Sequence, residues 1–513
     1  MSPNPKFIEE IQNGYKTKKD FFVLGTGILA DVPITEATVK IPLKTLNRHG
    51  LIAGATGTGK TKTLQVMAEQ LSLKGIPSVL MDLKGDISGL AQAGTLNEHI
   101  SWRSEAIGVD FKPEGLPCEF LTISQEKGTR MKATVTEFGP VLMSQILELN
   151  STQQGIMALV FRYCDLQHLP LLDLEDLRKV LQYIINEGKE EIKQEYGAVS
   201  TSSVNTILRK IIELEQQGAG EFFGETSFDV EDFVRTENGK GIISIIRLTD
   251  IQNRPKLFST FMLSLLSEIY ESFPEQGDQD KPKLCLFIDE AHLVFDNASK
   301  DLIDKIEAIV KLIRSKGVGV YFCTQSPTDI PESVLGQLGL KIQHSLRAFT
   351  AKDRKSISKT AENYPISEFY DTKEVLTMMG IGEALVTALS EKGMPTPLVR
   401  TLMRAPISRM DVLTHEEIQE IVQASKIASK YNEEIDRESA MEMLEKKILK
   451  ADLAVQNMER EAASEKGNSR SRHQKEENIF EEISKNTMVR QIGRTIFREL
   501  ARSILGTLSG KRR

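Results

Sequence analysis

One short stretch of the chain has the residue types and the spacing that bind phosphate. It fits the P-loop pattern G-x-x-x-x-G-K-[ST] and comprises Gly54, Ala55, Thr56, Gly57, Thr58, Gly59, Lys60 and Thr61. The glycines let the backbone turn its N–H groups inward as an anion nest, and the helix that follows directs its N-terminal dipole at the same point. Lys60 would reach the β- and γ-phosphates of a nucleotide, and the Thr61 hydroxyl would bind Mg²⁺. The stretch therefore predicts a site for a nucleoside triphosphate with Mg²⁺.

A second stretch, LCLFIDE, is an apolar strand that ends in two acids, Asp289 and Glu290. At the end of such a strand Asp289 would lie near Mg²⁺ and Glu290 near a water at the γ-phosphate. A carboxylate in that place can orient the water and accept its proton. Asp289 is therefore a predicted metal ligand and Glu290 a predicted catalytic residue.

Two more polar residues end predicted strands, and ligands of an open parallel sheet bind beyond the carboxyl ends of its strands. Gln325 follows VYFCT and would hydrogen-bond the γ-phosphate or the attacking water; the alternative is a merely structural polar strand end. Asp82 ends SVLMD, with Lys84 and Asp86 close behind it. For Asp82, a role at the nucleotide and plain turn chemistry are equal alternatives.

Apolar runs alternate with turns and helices, a pattern that predicts an α/β fold with a mostly parallel sheet and crossover helices. Such a sheet would hold all of these residues at one edge. The predicted strands are Gly50–Ala53, Ser78–Asp82, Gly241–Leu248, Leu284–Asp289, Gly319–Thr324, Lys341–Leu346 and Glu383–Leu389.

The predicted ATPase core covers residues 46–405 and follows a short β segment at 1–45. Between about 139 and 218 the alternation stops, and four helical segments with apolar residues at spacings of three and four follow one another. Asp173 and Thr201 are predicted N-caps there. These helices are either an insertion in the core or a separate small helical domain.

The chain after the core is predicted to be helical and charged. A helical extension covers 406–463, a linker without apolar residues covers 464–478, and a last amphipathic helix covers 479–513. The linker composition is typical of disorder. In the last helix an arginine recurs every fourth residue, which makes one basic stripe opposite an apolar face. The stripe consists of Arg490, Arg494, Arg498 and Arg502.

The composition is that of an ordinary globular protein, with 40% hydrophobic and 27% charged residues among 513. A formal net charge of −7 argues against a broad basic surface that coats nucleic acid, although a narrow channel would need only a few cations. The four cysteines are scattered and indicate neither a disulfide framework nor a zinc site. Since no signal peptide and no spanning apolar stretch is visible, a cytoplasmic location is expected.

Several longer motifs lie along nearly the whole chain. They are GATGTGKTKTLQ, MDLKGDISGLA, LCLFIDEAHLVF, RSKGVGVYFCTQSPTDIP, KIQHSLRAFTAKD, IGEALVTALSEKG, DRESAMEML and IGRTIFRELARSILGTL. As a set they are specific, and they resemble those of the HerA/FtsK superfamily of P-loop ATPases, in particular a group of bacterial HerA-like proteins. The tetrapeptide DEAH does not indicate a DEAH-box helicase, because the other motifs of that class are missing. ATP is the expected nucleotide, since no guanine-specifying NKxD occurs.

The resemblance implies a RecA-like fold and a homo-hexameric ring with ATP between neighbouring subunits. It also implies Glu290 as catalytic glutamate, Gln325 as sensor and Arg347 as an arginine finger that reaches the next subunit's ATP. Arg314 is a lower-ranked candidate for the finger, and a surface or salt-bridged arginine is the alternative for Arg347. Archaeal HerA carries a substantial N-terminal β-barrel for its nuclease partner, whereas about 45 residues precede the core here. A nuclease partner is therefore doubtful.

Three functions remain to be distinguished. The principal hypothesis is a motor that translocates or remodels double-stranded DNA through a hexameric pore, and it depends on the resemblance. The alternatives are an NTPase switch that controls a protein partner and a motor that moves protein. For the C-terminal basic helix, docking on its own ring, binding of a protein partner and binding of an anionic surface all remain open.

Overall fold

The computed structural model describes residues 4–465, apart from 278, 296–299, 434 and 436. The chain forms two compact units. Among the described residues, unit 1 comprises 4–132 and 226–433, and unit 2 comprises 133–225 and 435–465. The predicted linker from residue 466 and the predicted basic helix at 479–513 lie outside the described residues.

Strands follow the apolar runs of the chain. Their bounds are β1 Phe21–Leu29, β2 Val32–Pro42, β3 Gly50–Ala53, β4 Ser78–Asp82, β5 Cys118–Thr122, β6 Thr129–Arg130, β7 Thr236–Glu237, β8 Lys240–Gly241, β9 Ile243–Arg247, β10 Leu284–Ile288, β11 Val318–Thr324, β12 Leu340–His344, β13 Glu383–Thr387 and β14 Val399–Met403.

Helices connect these strands or follow one another directly. Their bounds are α1 Pro5–Gly14, α2 Lys60–Leu73, α3 Glu98–Ile107, α4 Val135–Ile146, α5 Ser151–Gln167, α6 Leu174–Ile185, α7 Lys189–Glu195, α8 Thr201–Gln216, α9 Pro255–Ser272, α10 His292–Phe295, α11 Lys300–Ile313, α12 Glu332–Leu335, α13 Ala351–Glu362, α14 Thr372–Met378, α15 His415–Ala424, α16 Ala428–Asn432 and α17 Ala440–Glu465.

Unit 1 is built on a sheet that, within the described residues, has twelve strands in the order β2-β1-β14-β13-β12-β3-β11-β10-β4-β9-β5-β6. The eight strands from β12 to β6 in this order pair in parallel, and the four at the other end pair antiparallel. The prediction of a mostly parallel sheet is confirmed.

Burial explains why the central strands were visible in the sequence. Every residue of β3, β4, β10 and β11 is buried. A strand that is covered on both faces reads as a continuous apolar run rather than as an alternating one. One apolar core cluster joins these strands to α2, whose inward residues include Leu64, Met67 and Leu71.

The N-terminal segment joins the sheet of unit 1 and forms no separate barrel in residues 4–49. β1 and β2 form a hairpin whose turn, Ala30–Asp31, has positive φ at both positions, as the twist of a tight hairpin requires. β1 then pairs with β14. Helix α1 precedes the hairpin and was not predicted; Asn4 caps it, and it buries Phe7 and Ile11.

Unit 2 is helical. α4, α5, α6 and α8 pack with one another, and α17 packs on α6. The Asp176 carboxylate accepts hydrogen bonds from the N–H groups of Leu172 at 2.9 Å and of Met441 at 2.8 Å, which ties the start of α6 to the start of α17. Sequence analysis assigned α17 to the extension after Pro406, whereas in the structure it belongs to the same compact unit as α4–α8.

Across the described part of the chain, we find no helix that combines the length and the apolar character needed to cross a membrane.

Candidate functional site: a phosphate loop at the edge of a parallel sheet

The carboxyl ends of five parallel neighbours, β12, β3, β11, β10 and β4, meet at one edge of the sheet. The register is close: Ala53 pairs with both Thr324 and Gln343, and Ile288 pairs with both Phe322 and Met81. Asp82 ends β4, and the P-loop, Asp289, Glu290 and Gln325 come directly after β3, β10 and β11. The fold therefore brings the predicted nucleotide residues of one chain to a single edge.

The P-loop backbone is held by its two neighbouring strands. Gly54 N–H donates to the Thr324 carbonyl at 3.2 Å, and Ala55 N–H donates to the Ser345 carbonyl at 2.9 Å. Gly54 and Gly59 have φ values of 152° and 112°, which residues other than glycine rarely adopt. At Gly54 a Cβ would also lie only 2.5 Å from the Cβ of His344. The first glycine of the motif is thus required both by backbone conformation and by space.

Lys60 starts helix α2 and folds back over the loop. Its Nζ donates to the carbonyls of Gly54 at 2.7 Å and of Ala55 at 3.2 Å. Burial lowers the pKa of Lys60, and the positive charge of Lys84 lowers it further. The ammonium group therefore sits among the loop atoms that would surround a phosphate.

Oxygen ligands suited to Mg²⁺ cluster beside the loop. Thr61 Oγ1 donates to Asp86 Oδ2 at 3.2 Å. Asp289 Oδ2 and Asp86 Oδ1 are buried and have no hydrogen-bond partner among the described residues. Unpaired carboxylate oxygens and a hydroxyl are the ligands that Mg²⁺ prefers. The residues present therefore fit this metal.

The described residues contain no group of three or more His, Cys, Asp or Glu that could hold a metal ion by itself. At phosphate sites, Mg²⁺ is commonly held by one or two protein ligands together with phosphate oxygens and water.

The acids of this cluster are held away from water. Burial raises the pKa of Asp82 to about 7, with a further rise from the nearby charge of Asp86. Burial also raises the pKa of Asp289 to about 6; the charge of Lys84 opposes this rise, and that of Glu290 adds to it. Asp82 accepts hydrogen bonds from the N–H groups of Gly85 at 2.7 Å and of Asp86 at 3.2 Å, so its carboxylate does organise a turn. That turn presents Lys84 and Asp86 to the site.

Glu290 is buried and has φ of 46°, in the left-handed region that non-glycine residues seldom occupy. Such strain is common at functional sites, where the surrounding structure holds it in place. The Lys84 ammonium forms an ion pair with Glu290 Oε1, and His292 Nδ1 lies 3.2 Å from Oε2. The predicted catalytic carboxylate is thus in contact with two basic side chains.

Gln325 follows β11 directly and is exposed. Its position is fixed by the turn after it, because Asp329 accepts hydrogen bonds from Thr324 Oγ1 at 2.6 Å and from Ser326 N–H at 3.0 Å. The side chain is therefore carried at the sheet edge next to the start of the P-loop.

The two candidate arginine fingers lie at opposite ends of the strands. Arg347 is exposed and comes two residues after Ser345, whose carbonyl contacts the P-loop of the same chain. Two residues span at most about 7 Å, so Arg347 lies close to its own P-loop. Arg314 follows α11 and precedes β11, at the amino edge of the sheet. Since a strand of this length covers roughly 20 Å, Arg314 lies far from the P-loop of its own chain.

Sequence reasoning missed His344. It is fully buried at the end of β12; its Nδ1 lies 2.8 Å from the Glu383 carbonyl, and its Nε2 lies 2.9 Å from the Thr63 hydroxyl on α2. Burial lowers the pKa of His344 to about 4. The neutral imidazole therefore donates through Nδ1 and accepts through Nε2. The available signal was a histidine at the end of an otherwise apolar strand in KIQHS.

A family model described as helicase HerA-like C-terminal matches residues 29–513 of this chain. The DNA double-strand break repair helicase HerA of Sulfolobus acidocaldarius is 22% identical over 369 residues, which cover 68% of this chain and 64% of that protein. The probable helicase MJECL08 of Methanocaldococcus jannaschii is 26% identical over 424 residues, covering 74% of this chain and 72% of that protein. The chain thus spans less than two thirds of the HerA length.

Among solved structures, the bacterial conjugative coupling protein TrwBdeltaN70 superposes with a TM-score of 0.50 at 15% identity, over 79% of this chain and 94% of that one. At this identity the likeness concerns the fold. Together with the sheet order and the P-loop at its carboxyl edge, it confirms the predicted P-loop ATPase fold.

Proposed function

Because this chain belongs to the helicase HerA-like C-terminal family, we propose that it is an ATP-hydrolysing ring motor that translocates along double-stranded DNA. One observation carries the proposal beyond family membership. The P-loop and the pair Asp289–Glu290 converge at one sheet edge, although they are far apart in sequence. A site with a phosphate cradle, unpaired carboxylate oxygen and a strained buried glutamate is equipped for turnover as well as for binding.

Each side chain has a role that follows from its position. Lys60 binds the β- and γ-phosphates in place of the two loop carbonyls that it now contacts. Thr61 and Asp289 would hold Mg²⁺, which when bound neutralises charge on the phosphates. Glu290 orients the attacking water and accepts its proton. Gln325 is placed to hydrogen-bond the γ-phosphate or that water.

In the proposed ring, each ATP site receives an arginine finger from the neighbouring subunit. In the proposed homo-hexamer, Arg347 reaches the ATP of the neighbouring subunit as a planar guanidinium fork and stabilises charge that grows in the transition state. Its exposure leaves it accessible to a neighbour, but its distance from its own P-loop is also short. Action within one chain is therefore the competing assignment, and mixing experiments separate the two.

DNA as the cargo is supported by the relatives. They include proteins named as a DNA double-strand break repair helicase and as the DNA import protein CedB. The proposal places the motor in the cytoplasm, where ATP and Mg²⁺ are available.

The test is the steady-state ATPase rate of the full chain with and without duplex DNA, in a preparation shown to be hexameric by native mass spectrometry. We expect stimulation by DNA that weakens as salt rises, because phosphate contacts release counterions. A hexamer that hydrolyses ATP at the same rate with and without DNA, and binds none, would instead favour the protein-directed alternatives. A chain that binds no ATP would contradict the proposal altogether.

A further inference from the structure

Lys84 occupies a defined place in the nucleotide site. It lies in the turn after β4, and this turn is closed by the hydrogen bonds of Asp82 to the N–H groups of Gly85 and Asp86. Because β4 is the parallel neighbour of β10, the turn faces Asp289 and Glu290 across the sheet edge. The Lys84 side chain is 35% exposed and ends in its ion pair with Glu290, whose side chain is only 9% exposed.

Lys84 is a second lysine at this edge of the sheet. Lys60 lies after β3 and its Nζ contacts the loop carbonyls of Gly54 and Ala55, whereas Lys84 lies after β4 and contacts Glu290, which follows β10. Two ammonium groups at one sheet edge repel each other, and an anion with several charges would offset that repulsion.

Basic side chains contact the carboxylate of Glu290, the group that would act on the attacking water. One of its carboxylate oxygens contacts the Lys84 ammonium, and the other lies 3.2 Å from His292. A general base must be within hydrogen-bond reach of the proton it takes. The Lys84 ammonium occupies Oε1 of Glu290, and its departure would free that oxygen to accept a hydrogen bond from water.

We propose that Lys84 is a second phosphate-binding lysine, which leaves Glu290 for the γ-phosphate of bound ATP and so releases Glu290 to orient the attacking water. The inference rests on the proposed ATPase function. A terminal phosphate carries more negative charge than a carboxylate and offers several acceptor oxygens, so it competes well for one ammonium group. ADP has no γ-phosphate and leaves the Lys84–Glu290 pair in place.

The test compares the affinities of the full-length chain for ATP and for ADP in a Glu290→Gln background, by titration with Mg²⁺ present. This background abolishes the ion pair and slows turnover, so that ATP can be used as the ligand. Adding Lys84→Ala should weaken ATP binding by about 10- to 100-fold, the range for a lost charge-assisted hydrogen bond. ADP affinity should change by less than about threefold, which also shows that the doubly substituted chain is folded.

Two control variants keep the result unambiguous. Lys84→Arg in the same background should restore much of the ATP affinity, since the positive charge is kept. Lys74→Ala, at an exposed lysine after α2 at the opposite edge of the sheet, should leave both affinities unchanged.

If Lys84 only neutralises Glu290, Lys84→Ala will have no effect once Glu290 is Gln, and the inference is overturned. Equal losses for ATP and ADP would also overturn it, whereas absence of ATP binding by the wild-type chain would refute the proposed function itself.

Discussion

At the scale of single residues, Lys60 and Glu290 should separate nucleotide binding from turnover. Lys60→Ala removes the ammonium that contacts ground-state phosphates, so ATP affinity should fall by about 10- to 100-fold. Glu290→Gln leaves the P-loop intact and removes the group that acts on water, so binding should persist while the turnover number falls by about 10²- to 10⁴-fold. Equilibrium titration with ATP and steady-state phosphate release measure the two effects.

Matched controls exist for both changes. Lys74→Ala changes an exposed residue at the end of α2, and Glu271→Gln changes an exposed residue near the end of α9. Both residues lie away from the carboxyl edge of the sheet, so both variants should behave as wild type. Near wild-type hydrolysis by Glu290→Gln would show that the assignment of Glu290 is wrong.

His344 gives a prediction about pH. Its pKa in the native state, about 4, lies below the ordinary value of 6.5. Between these values the unfolded chain takes up a proton that the native chain does not, so this residue lowers stability as pH falls from 6.5 towards 4. Its contribution approaches about 1.4 kcal/mol per pH unit within that window. His344→Gln removes the contribution, and the wild type should therefore lose stability more steeply than the variant.

Urea-induced unfolding of the two chains at pH 6.5 and pH 5 measures this difference in slope. Exposed His415 provides the control, since His415→Gln should keep the wild-type slope. Identical slopes for wild type and His344→Gln would show that His344 is not held neutral by burial.

Residues of the site differ in how far they could be predicted. The P-loop could be predicted from the sequence because its function depends on eight consecutive residues and on helix α2, which begins at Lys60. His344 could not, because its partner Thr63 is 281 positions away in sequence. The part played by Lys84 likewise depends on a contact that only the pairing of β4 with β10 creates.

At the scale of elements, the start of α8 separates the sequence prediction from the structure. Sequence analysis predicted Thr201 as the N-cap, whereas in the structure Ser200 accepts the hydrogen bond from Ser203 N–H at 3.3 Å, and Thr201 is the first helical residue. Ser200→Ala should therefore cost about 0.5–2 kcal/mol in the free energy of unfolding. Thr201→Ala should change it by no more than about 0.5 kcal/mol.

Urea-induced unfolding of the full chain, followed by far-UV circular dichroism, measures both variants. Asp173→Ala is the positive control, because Asp173 accepts from Asp176 N–H at 2.9 Å and caps α6 as the sequence predicted. A larger loss for Thr201→Ala than for Ser200→Ala would place the cap at Thr201 instead.

Other elements show why local patterns are insufficient. β3 and β4 have the predicted bounds, since each is a short, fully buried apolar run. β5, with sequence CEFLT, and β14, with sequence VRTLM, were missed because a charge interrupts each run. Glu119 of β5 is buried and pairs with Arg235, a partner that is distant in sequence. The fold thus accepts a charge in a buried strand where tertiary structure supplies its counter-ion.

At the scale of the whole molecule, unit 2 could not be recognised from the sequence, because it is formed by two segments that are distant along the chain. Among the described residues, unit 2 combines 133–225 with 435–465, although the intervening residues belong to unit 1. Composition separates helical from α/β segments, but it carries no signal for which distant segments associate. The predicted division into a helical insertion and a helical extension was based only on the order of the segments along the chain.

The proposed ring makes a prediction about Arg347. Lys60→Ala and Arg347→Ala subunits should each be inactive alone, because an arginine finger is worth roughly 10³–10⁵ in rate. If Arg347 acts on the neighbouring subunit, some interfaces of a mixed ring pair an intact P-loop with an intact finger. Phosphate release should then exceed that of either variant alone.

Native mass spectrometry supplies the control for mixing. Mixed rings that form and remain inactive at every ratio would assign Arg347 to its own chain's site, and the same experiment with Arg314→Ala then tests the other candidate. Normal turnover by Arg347→Ala rings would remove any catalytic role for this residue.

The most direct test of the account as a whole is ATP-dependent displacement of a third strand from a DNA triplex on a long duplex. A motor that moves along duplex DNA dislodges the third strand, whereas an NTPase switch or a protein-directed motor does not. We predict displacement with ATP and Mg²⁺ by the wild-type hexamer and none by Glu290→Gln, which should still bind ATP. Hexamers that hydrolyse ATP in the presence of the duplex yet leave every triplex intact would contradict the claim that this chain is a DNA translocase.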